Sequence, residues 1–178
     1  AESADAYTLE LMNKGGFILK NGIIKKNING KNYNFPKTMV NAVENCRKAG
    51  IHANCTWIMA YPGEELKHLQ TSVAFIMWQK EFWTEGIEPG TKDYKNLENG
   101  INQKMFTATA YPGTEMWTAV KQRLNKHFDI KFDSFGEPIC DENFRNYVLE
   151  LDDATKGLND KNGNPVNFSE MPLDTFLQ

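Results

Sequence analysis

The stretch AYPGEEL at residues 60–66 is the strongest indication of the fold, because nearly the same stretch, AYPGTEM, recurs at residues 110–116. Each copy follows a short run of apolar or β-branched residues and opens a segment with helical spacing of apolar residues. A strand, a Pro-Gly turn and a helix, repeated at this interval, indicate βα units in an α/β protein. Loops that leave the carboxyl ends of strands hold the ligands of such proteins, so the two turns are predicted to form the working face.

Turn signals and apolar spacing predict the other elements. Before the first copy we expect a short helix to Asn13 stopped by Gly15-Gly16, a β-hairpin at 17–35 around Asn29-Gly30, and a helix from Pro36 to Gly50. The two units themselves predict strands at 51–60 and 102–110 and helices at 64–83 and 114–128, with a loop at 84–100 between them. A helix at 141–151 and an irregular tail at 152–178 complete the prediction.

Apolar stripes predict which side of each helix faces the core. For the helix after Pro36 the stripe is Met39, Val43 and Cys46. For the helix after the first turn it is Leu66, Leu69, Val73, Ile76 and Met77. For the helix after the second turn it is Trp117, Val120, Leu124 and Phe128.

Composition limits the classes of function. The chain of 178 residues carries a formal net charge of −3, which gives no sign of a nucleic-acid partner or an anionic membrane surface. No apolar run approaches the roughly 20 residues of a membrane span. Cys46, Cys55 and Cys140 lie far apart and are odd in number, which predicts a reducing, cytoplasmic location. The chain begins with Ala1, and we expect it to be a piece of a longer protein.

The carboxylates that follow the Pro-Gly turns have two interpretations. Glu64, Glu65 and Glu115 lie where a helix start favours negative charge for structural reasons alone. Because the turn occurs twice on one predicted face, Glu64 is also predicted to face a bound polar ligand. His68 and His127 are predicted to be solvated, and the sequence holds no His or Cys spacing typical of a self-contained metal site.

Four motifs, in order, resemble the radical S-adenosylmethionine (SAM) superfamily. Glu2-Ser3-Ala4-Asp5, with Met12-Asn13-Lys14-Gly15 after it, is similar to the segment at the end of the fourth barrel strand. Cys46-Arg47-Lys48-Ala49-Gly50-Ile51 resembles the lead into the fifth strand, and residues 57–65 resemble the fifth-strand end. Residues 106–115 resemble the sixth-strand signature of members that carry an upstream cobalamin-binding domain.

The resemblance implies a set of SAM contacts. At the end of the fourth strand a polar residue contacts the ribose or the methionine part of SAM; here this is Glu2, with Ser3 beside it. The fifth-strand motif lies along the adenine and methionine moieties, and its positions here are Ile58, Ala60 and Glu64.

The sixth-strand end supports the adenine through backbone groups, which implies Ala110 and Tyr111. Ala60 and Ala110 depart from the family pattern, since they stand where the family often has Gly and Pro. The hairpin at 17–35 is a further departure. The resemblance therefore implies a partial (βα) barrel over residues 1–140, the carboxyl-terminal half of a radical SAM barrel with a hairpin insertion, followed by a helix and tail at 141–178.

The cysteine loop of the family is absent. Radical SAM chemistry needs a Cys-x3-Cys-x2-Cys loop for a 4Fe-4S cluster, and this sequence has none. The resemblance implies that missing upstream segments bind the cluster and a cobalamin, and that this fragment is inactive alone. A half barrel leaves a strand edge exposed, which predicts self-association.

Two other functions stay open at the level of sequence. A βα hydrolase could use Glu64 and Glu115 as acid and base on an unknown small-molecule substrate. A non-catalytic α/β binding or interaction module would explain the missing cysteines without truncation. Against that module, a self-sufficient α/β domain should have its own first strand, and none is predicted before Ile51 outside the hairpin.

Overall fold

The computed structural model describes residues 2–100, 102–151, 158–172 and 174, with the backbone alone at 99, 100 and 102. The described elements are α1 (Ala6–Leu11), α2 (Gly15–Ile18), β1 (Ile23–Ile28), β2 (Lys31–Pro36), α3 (Lys37–Lys48), β3 (Asn54–Met59), α4 (Leu66–Thr84), α5 (Lys92–Gly100), β4 (Asn102–Thr107), α6 (Glu115–Phe128) and α7 (Glu142–Glu150). Two compact units result, Ala1–Met59 with Glu64–Met105 and Ala60–Gly63 with Phe106–Gln178.

The α/β class is confirmed. The sheets are small, since β1 pairs with β2 and β3 pairs with β4, and the described residues form no closed barrel. In the same part of the chain no helix is long and apolar enough to cross a membrane. The division of the chain near residue 140 stays a prediction.

The hairpin follows its turn signal. β1 and β2 are antiparallel, and their tip holds Asn29 at φ 50° and Gly30 at φ 81°. Positive φ at both central residues is the requirement of a type I′ turn, so the predicted Asn-Gly turn is confirmed. Phe35 is fully buried, and its ring centroid lies 5.0 Å from that of Phe75. The hairpin therefore supplies part of the core of the first unit.

The chain around α1 and α2 differs from prediction. α1 ends at Leu11, and the left-handed residue after it is Asn13 at φ 57°, not a glycine. Gly15-Gly16 was expected to stop the helix but instead begins α2. Asparagine adopts the left-handed region more readily than other residues with a side chain, which makes it an adequate helix stop.

The predicted core-facing side of α4 is wrong. Phe75, Trp78 and Trp83 are buried, whereas three members of the predicted stripe are more than a third exposed: Leu66, Val73 and Met77. Aromatic side chains bury more area than aliphatic ones, so a helix that carries both gains more by turning its aromatic side inward. On α3, by contrast, Met39 and Val43 are buried as predicted, with Cys46 packed partly against the same core.

The predicted loop at 84–100 contains a helix. Thr91 begins it, because its hydroxyl accepts a hydrogen bond from the backbone N–H of Tyr94 at 3.2 Å and donates to the carbonyl of Glu88 at 2.8 Å. The Lys80 ammonium lies 2.6 Å from the Glu98 carboxylate, and this hydrogen bond raises the pKa of Lys80. A cap and an ion pair, rather than an apolar stripe, support α5, so the helix was missed.

The second unit matches its sequence pattern closely. Thr114 and Asp141 cap α6 and α7, and all four predicted inward residues of α6 are buried: Trp117, Val120, Leu124 and Phe128. The described part of the tail is packed rather than frayed, since its apolar residues are buried: Leu158, Val166, Phe168 and Met171. The remaining predictions for the tail, at 152–157, 173 and 175–178, lie outside the described residues.

Candidate functional site

The second Tyr-Pro-Gly segment forms a tight turn that starts α6. The backbone N–H of Thr114 donates to the carbonyl of Tyr111 at 3.2 Å, and Gly113 has φ 84°. Proline before a glycine with positive φ is the pattern of a type II turn. The Thr114 hydroxyl then accepts from the N–H of Trp117 at 3.1 Å and caps the helix. The turn therefore delivers the chain directly into α6.

The first Tyr-Pro-Gly segment has the same glycine conformation as the second, but a different residue caps the helix that follows it. Gly63 also has φ 84°, but Glu65 begins α4. The Glu65 side chain accepts from the backbone of His68, and the N–H of Glu65 donates to His68 Nδ1 at 3.0 Å. The prediction that His68 is solvated is wrong. The capping box holds the imidazole against the ring of Tyr7, and the residue is only 8% exposed. Of the two interpretations of these carboxylates, Glu65 thus fits the structural one, as a helix cap.

The strand ends before the two turns differ in backbone conformation. Ala60 and Ala110 are both fully buried, but only Ala60 lies in the left-handed region, with φ 62°. That conformation brings Cβ close to the following carbonyl oxygen in any residue except glycine. Glycine would therefore be unstrained at position 60, where the radical SAM pattern that the sequence resembles often has it.

Replacing each of these alanines with glycine should give unequal effects. Both variants lose a buried methyl group and gain unfolded-state entropy. Only Ala60→Gly also relieves left-handed strain, so we expect it to be less destabilising than Ala110→Gly by about 1–2 kcal/mol. Urea unfolding of the two variants measures this difference, and Ala110→Gly serves as the matched control. Equal free energies of unfolding would contradict the strain at Ala60.

The segment around Glu2 and Ser3 lies beside β3. The N–H of Ile58 donates to the carbonyl of Glu2 at 2.8 Å. Ser3 is fully buried, and its hydroxyl lies 3.1 Å from that of Ser72, which also accepts from the N–H of Ala4 at 3.0 Å. The Ser3 side chain therefore ties the segment to α4. The Glu2 carboxylate is 37% exposed and lies 3.7 Å from the ammonium of Lys14, so it stays accessible to a ligand.

The end of β4 is held by a tyrosine that the sequence did not single out. The hydroxyl of Tyr147 donates to the carbonyl of Ala110 at 2.5 Å. Burial, with a smaller contribution from Tyr111, raises the pKa of the Tyr147 hydroxyl. Tyr111 itself is 45% exposed, and its hydroxyl donates to the carbonyl of Leu151 at 3.5 Å. The sequence placed Tyr147 on the predicted helix at 141–151, but no local pattern indicated that its hydroxyl would bind the carbonyl of Ala110.

The predicted site residues are divided between the two units. The first unit contains Glu2, Ser3, Ile58 and Glu64, and it brings Glu2 and Ile58 into direct contact. The second contains Ala60, Ala110 and Tyr111. The predicted acid–base pair is in unlike environments, since Glu64 is fully buried and Glu115 is exposed in the first turn of α6.

Within the described ranges no three or more His, Cys, Asp or Glu side chains are grouped so that they could hold a metal ion. Cys46 and Cys55 are half-buried and Cys140 is exposed, all as free thiols. The sulfur of Cys55 contacts the buried amide of Gln79. These cysteines do not fit the ligand set of a 4Fe-4S cluster. No family model, curated protein or solved structure matches the chain.

Proposed function

We propose that this chain contributes SAM-binding strands to the barrel of a radical SAM enzyme. The observation that supports this most directly is the hydrogen bond from Ile58 to Glu2, next to the pairing of β3 with β4. The segments that the resemblance assigns to barrel strands four and six thus each contact the segment that it assigns to strand five. Sequential strands of a βα barrel are neighbours in this way.

The accessible groups of the first unit suit SAM. The Glu2 carboxylate accepts hydrogen bonds from the ribose hydroxyls or the methionine ammonium. Ile58 is half-buried and alternates with buried Trp57, so its side chain lies on the sheet face opposite the core.

The chain's role in this proposal is to bind and orient the cofactor. A 4Fe-4S cluster and a cobalamin would be held by other segments of the protein, because the cysteines here do not fit a cluster. When those groups are bound, they supply radical formation or methyl transfer. Alone, the chain holds SAM weakly and does not cleave it.

Titration of the ¹⁵N-labelled chain with SAM, followed by amide chemical shifts, tests the proposal. We expect shifts at Glu2 and Ile58, and none at the hairpin tip residues Asn29 and Gly30. Because a hydrogen bond to a charged group contributes about 1.5–3 kcal/mol, Glu2→Gln should weaken binding by roughly tenfold or more.

Glu10→Gln is the matched control, since Glu10 is an exposed carboxylate on α1 and should leave SAM affinity unchanged. Absence of shifts at millimolar SAM, or shifts confined to the hairpin, would show that the proposed function is wrong. Adenosine and methionine titrated separately show which end of SAM each residue contacts.

A further inference from the structure

An apolar groove lies between the hairpin tip and α4 in the first unit. Its volume is about 290 Å³, and its lining includes Lys31, Tyr33, Leu66, Leu69, Val73 and Met77. This is the side of α4 that the sequence predicted to be buried and that the fold leaves open. A contiguous exposed apolar patch with a polar rim is typical of a binding surface.

The charge at the groove is positive, because its lining includes Lys31 and no carboxylate. Between Leu11 and Val43 the sequence has six lysines and no carboxylate: Lys14, Lys20, Lys25, Lys26, Lys31 and Lys37. The stretch 129–178 of the same chain has the opposite composition, with eleven Asp and Glu against four Lys and Arg. Complementary charge favours association between the hairpin and this acidic stretch.

The acidic stretch presents an apolar side chain of suitable size. Phe135 is 89% exposed at the tip of a turn, with Asp133 and Glu137 on either side. The turn is preorganised, because an Asp133 carboxylate oxygen accepts from the N–H groups of Phe135 at 2.8 Å and Glu137 at 3.0 Å. An aromatic side chain on a rigid support loses little entropy on binding, which makes it an effective interface anchor.

We propose that the groove binds the Phe135 turn of a second copy of this chain. The phenyl ring enters between Leu66, Val73 and Met77, and the carboxylates beside it face Lys31. The two surfaces come from different parts of the chain, so the contact is head-to-tail and leaves one groove and one turn available at the ends. This association is independent of SAM binding and differs from pairing through a strand edge.

Two variants that each remove one surface test the contact by sedimentation velocity. Val73→Glu blocks the groove and Phe135→Ser removes the anchor; both positions are exposed, so circular dichroism should match the wild type. We expect the wild-type mass to rise with concentration and each variant to stay monomeric. An equimolar mixture of the two variants should form a one-to-one dimer, because each supplies the surface that the other lacks. Leu149→Ser, at a residue 70% exposed in the second unit, should associate like the wild type.

Charge reversal gives an independent readout. Lys31→Glu should weaken wild-type association several-fold at low salt, Glu137→Lys in the same chain should restore it, and high salt should reduce both effects through screening. A wild type that stays monomeric at all concentrations would overturn the proposal. So would association that survives both Val73→Glu and Phe135→Ser, as pairing of strand edges would, or a mixture that stays monomeric.

Discussion

Replacing Trp57 with alanine is expected to lower the free energy of unfolding of the first unit by about 3–5 kcal/mol. Trp57 is fully buried in β3, and its ring centroid lies 5.6 Å from that of Phe75. Its Nε1 also donates to Oε1 of Gln103 on β4 at 2.5 Å. The substitution removes the packing and the hydrogen bond together. Since small domains are stable by about 5–15 kcal/mol, urea unfolding should show a large shift of the midpoint.

The variant Trp57→Phe separates the contribution of packing from that of the hydrogen bond to Gln103. It keeps an aromatic ring in the core but loses the indole N–H, so its cost should be clearly smaller than that of Trp57→Ala. Val73→Ala, on the exposed side of α4, should stay within about 0.5 kcal/mol of the wild type. A cost below about 1 kcal/mol for Trp57→Ala would contradict the placement of Trp57 at the centre of the core.

Tyr147 should make the second unit sensitive to alkaline pH. Its side chain is 1% exposed, and burial first, then the charge of Tyr111, raises its pKa above the ordinary value of 10.0. The folded state therefore keeps the proton that the unfolded state releases. This stability is fully present below pH 10 and is lost as the pH rises above it. Unfolding followed by tryptophan fluorescence at pH values from 7 to 11 measures this loss.

Substitution of Tyr147 tests packing and ionisation separately. Tyr147→Ala should cost about 3–5 kcal/mol, because the ring packs on Trp117 and Phe128 with centroids 5.5 and 4.9 Å away. Tyr147→Phe should cost only about 1 kcal/mol at pH 7, through the lost hydrogen bond to Ala110, and should flatten the alkaline dependence. Tyr7→Phe, at a ring 47% exposed in the first unit, is the control. An unchanged alkaline slope in Tyr147→Phe would show that other groups cause it.

The proposed contact set could be predicted from sequence only in part. The resemblance selected Glu2 and Ile58 from separate motifs, and the structure places their main chains in contact. It also selected Ser3 as a ligand group, whereas the fold uses the Ser3 hydroxyl to bind Ser72. Ser72 lies far along the chain within α4, so no local pattern could have linked the two residues. The SAM-binding role itself stays a prediction.

Local interactions are what the sequence determined by itself. The Asn29-Gly30 turn, the stripe of α6 and the two Pro-Gly turns depend on residues within a few positions of each other, and all of them form as predicted. The βα order and the α/β class follow from the same local periodicities.

Only the tertiary structure decided which side of each element is buried and which distant residues it contacts. It turned the aromatic side of α4 inward, left Val73 and its neighbours exposed, and placed Tyr147 against the carbonyl of Ala110. It also buried His68 in a cap under Tyr7. The physical reason is that burial is a competition among all apolar surfaces of the chain, whereas a turn or a helical stripe depends only on the residues it contains.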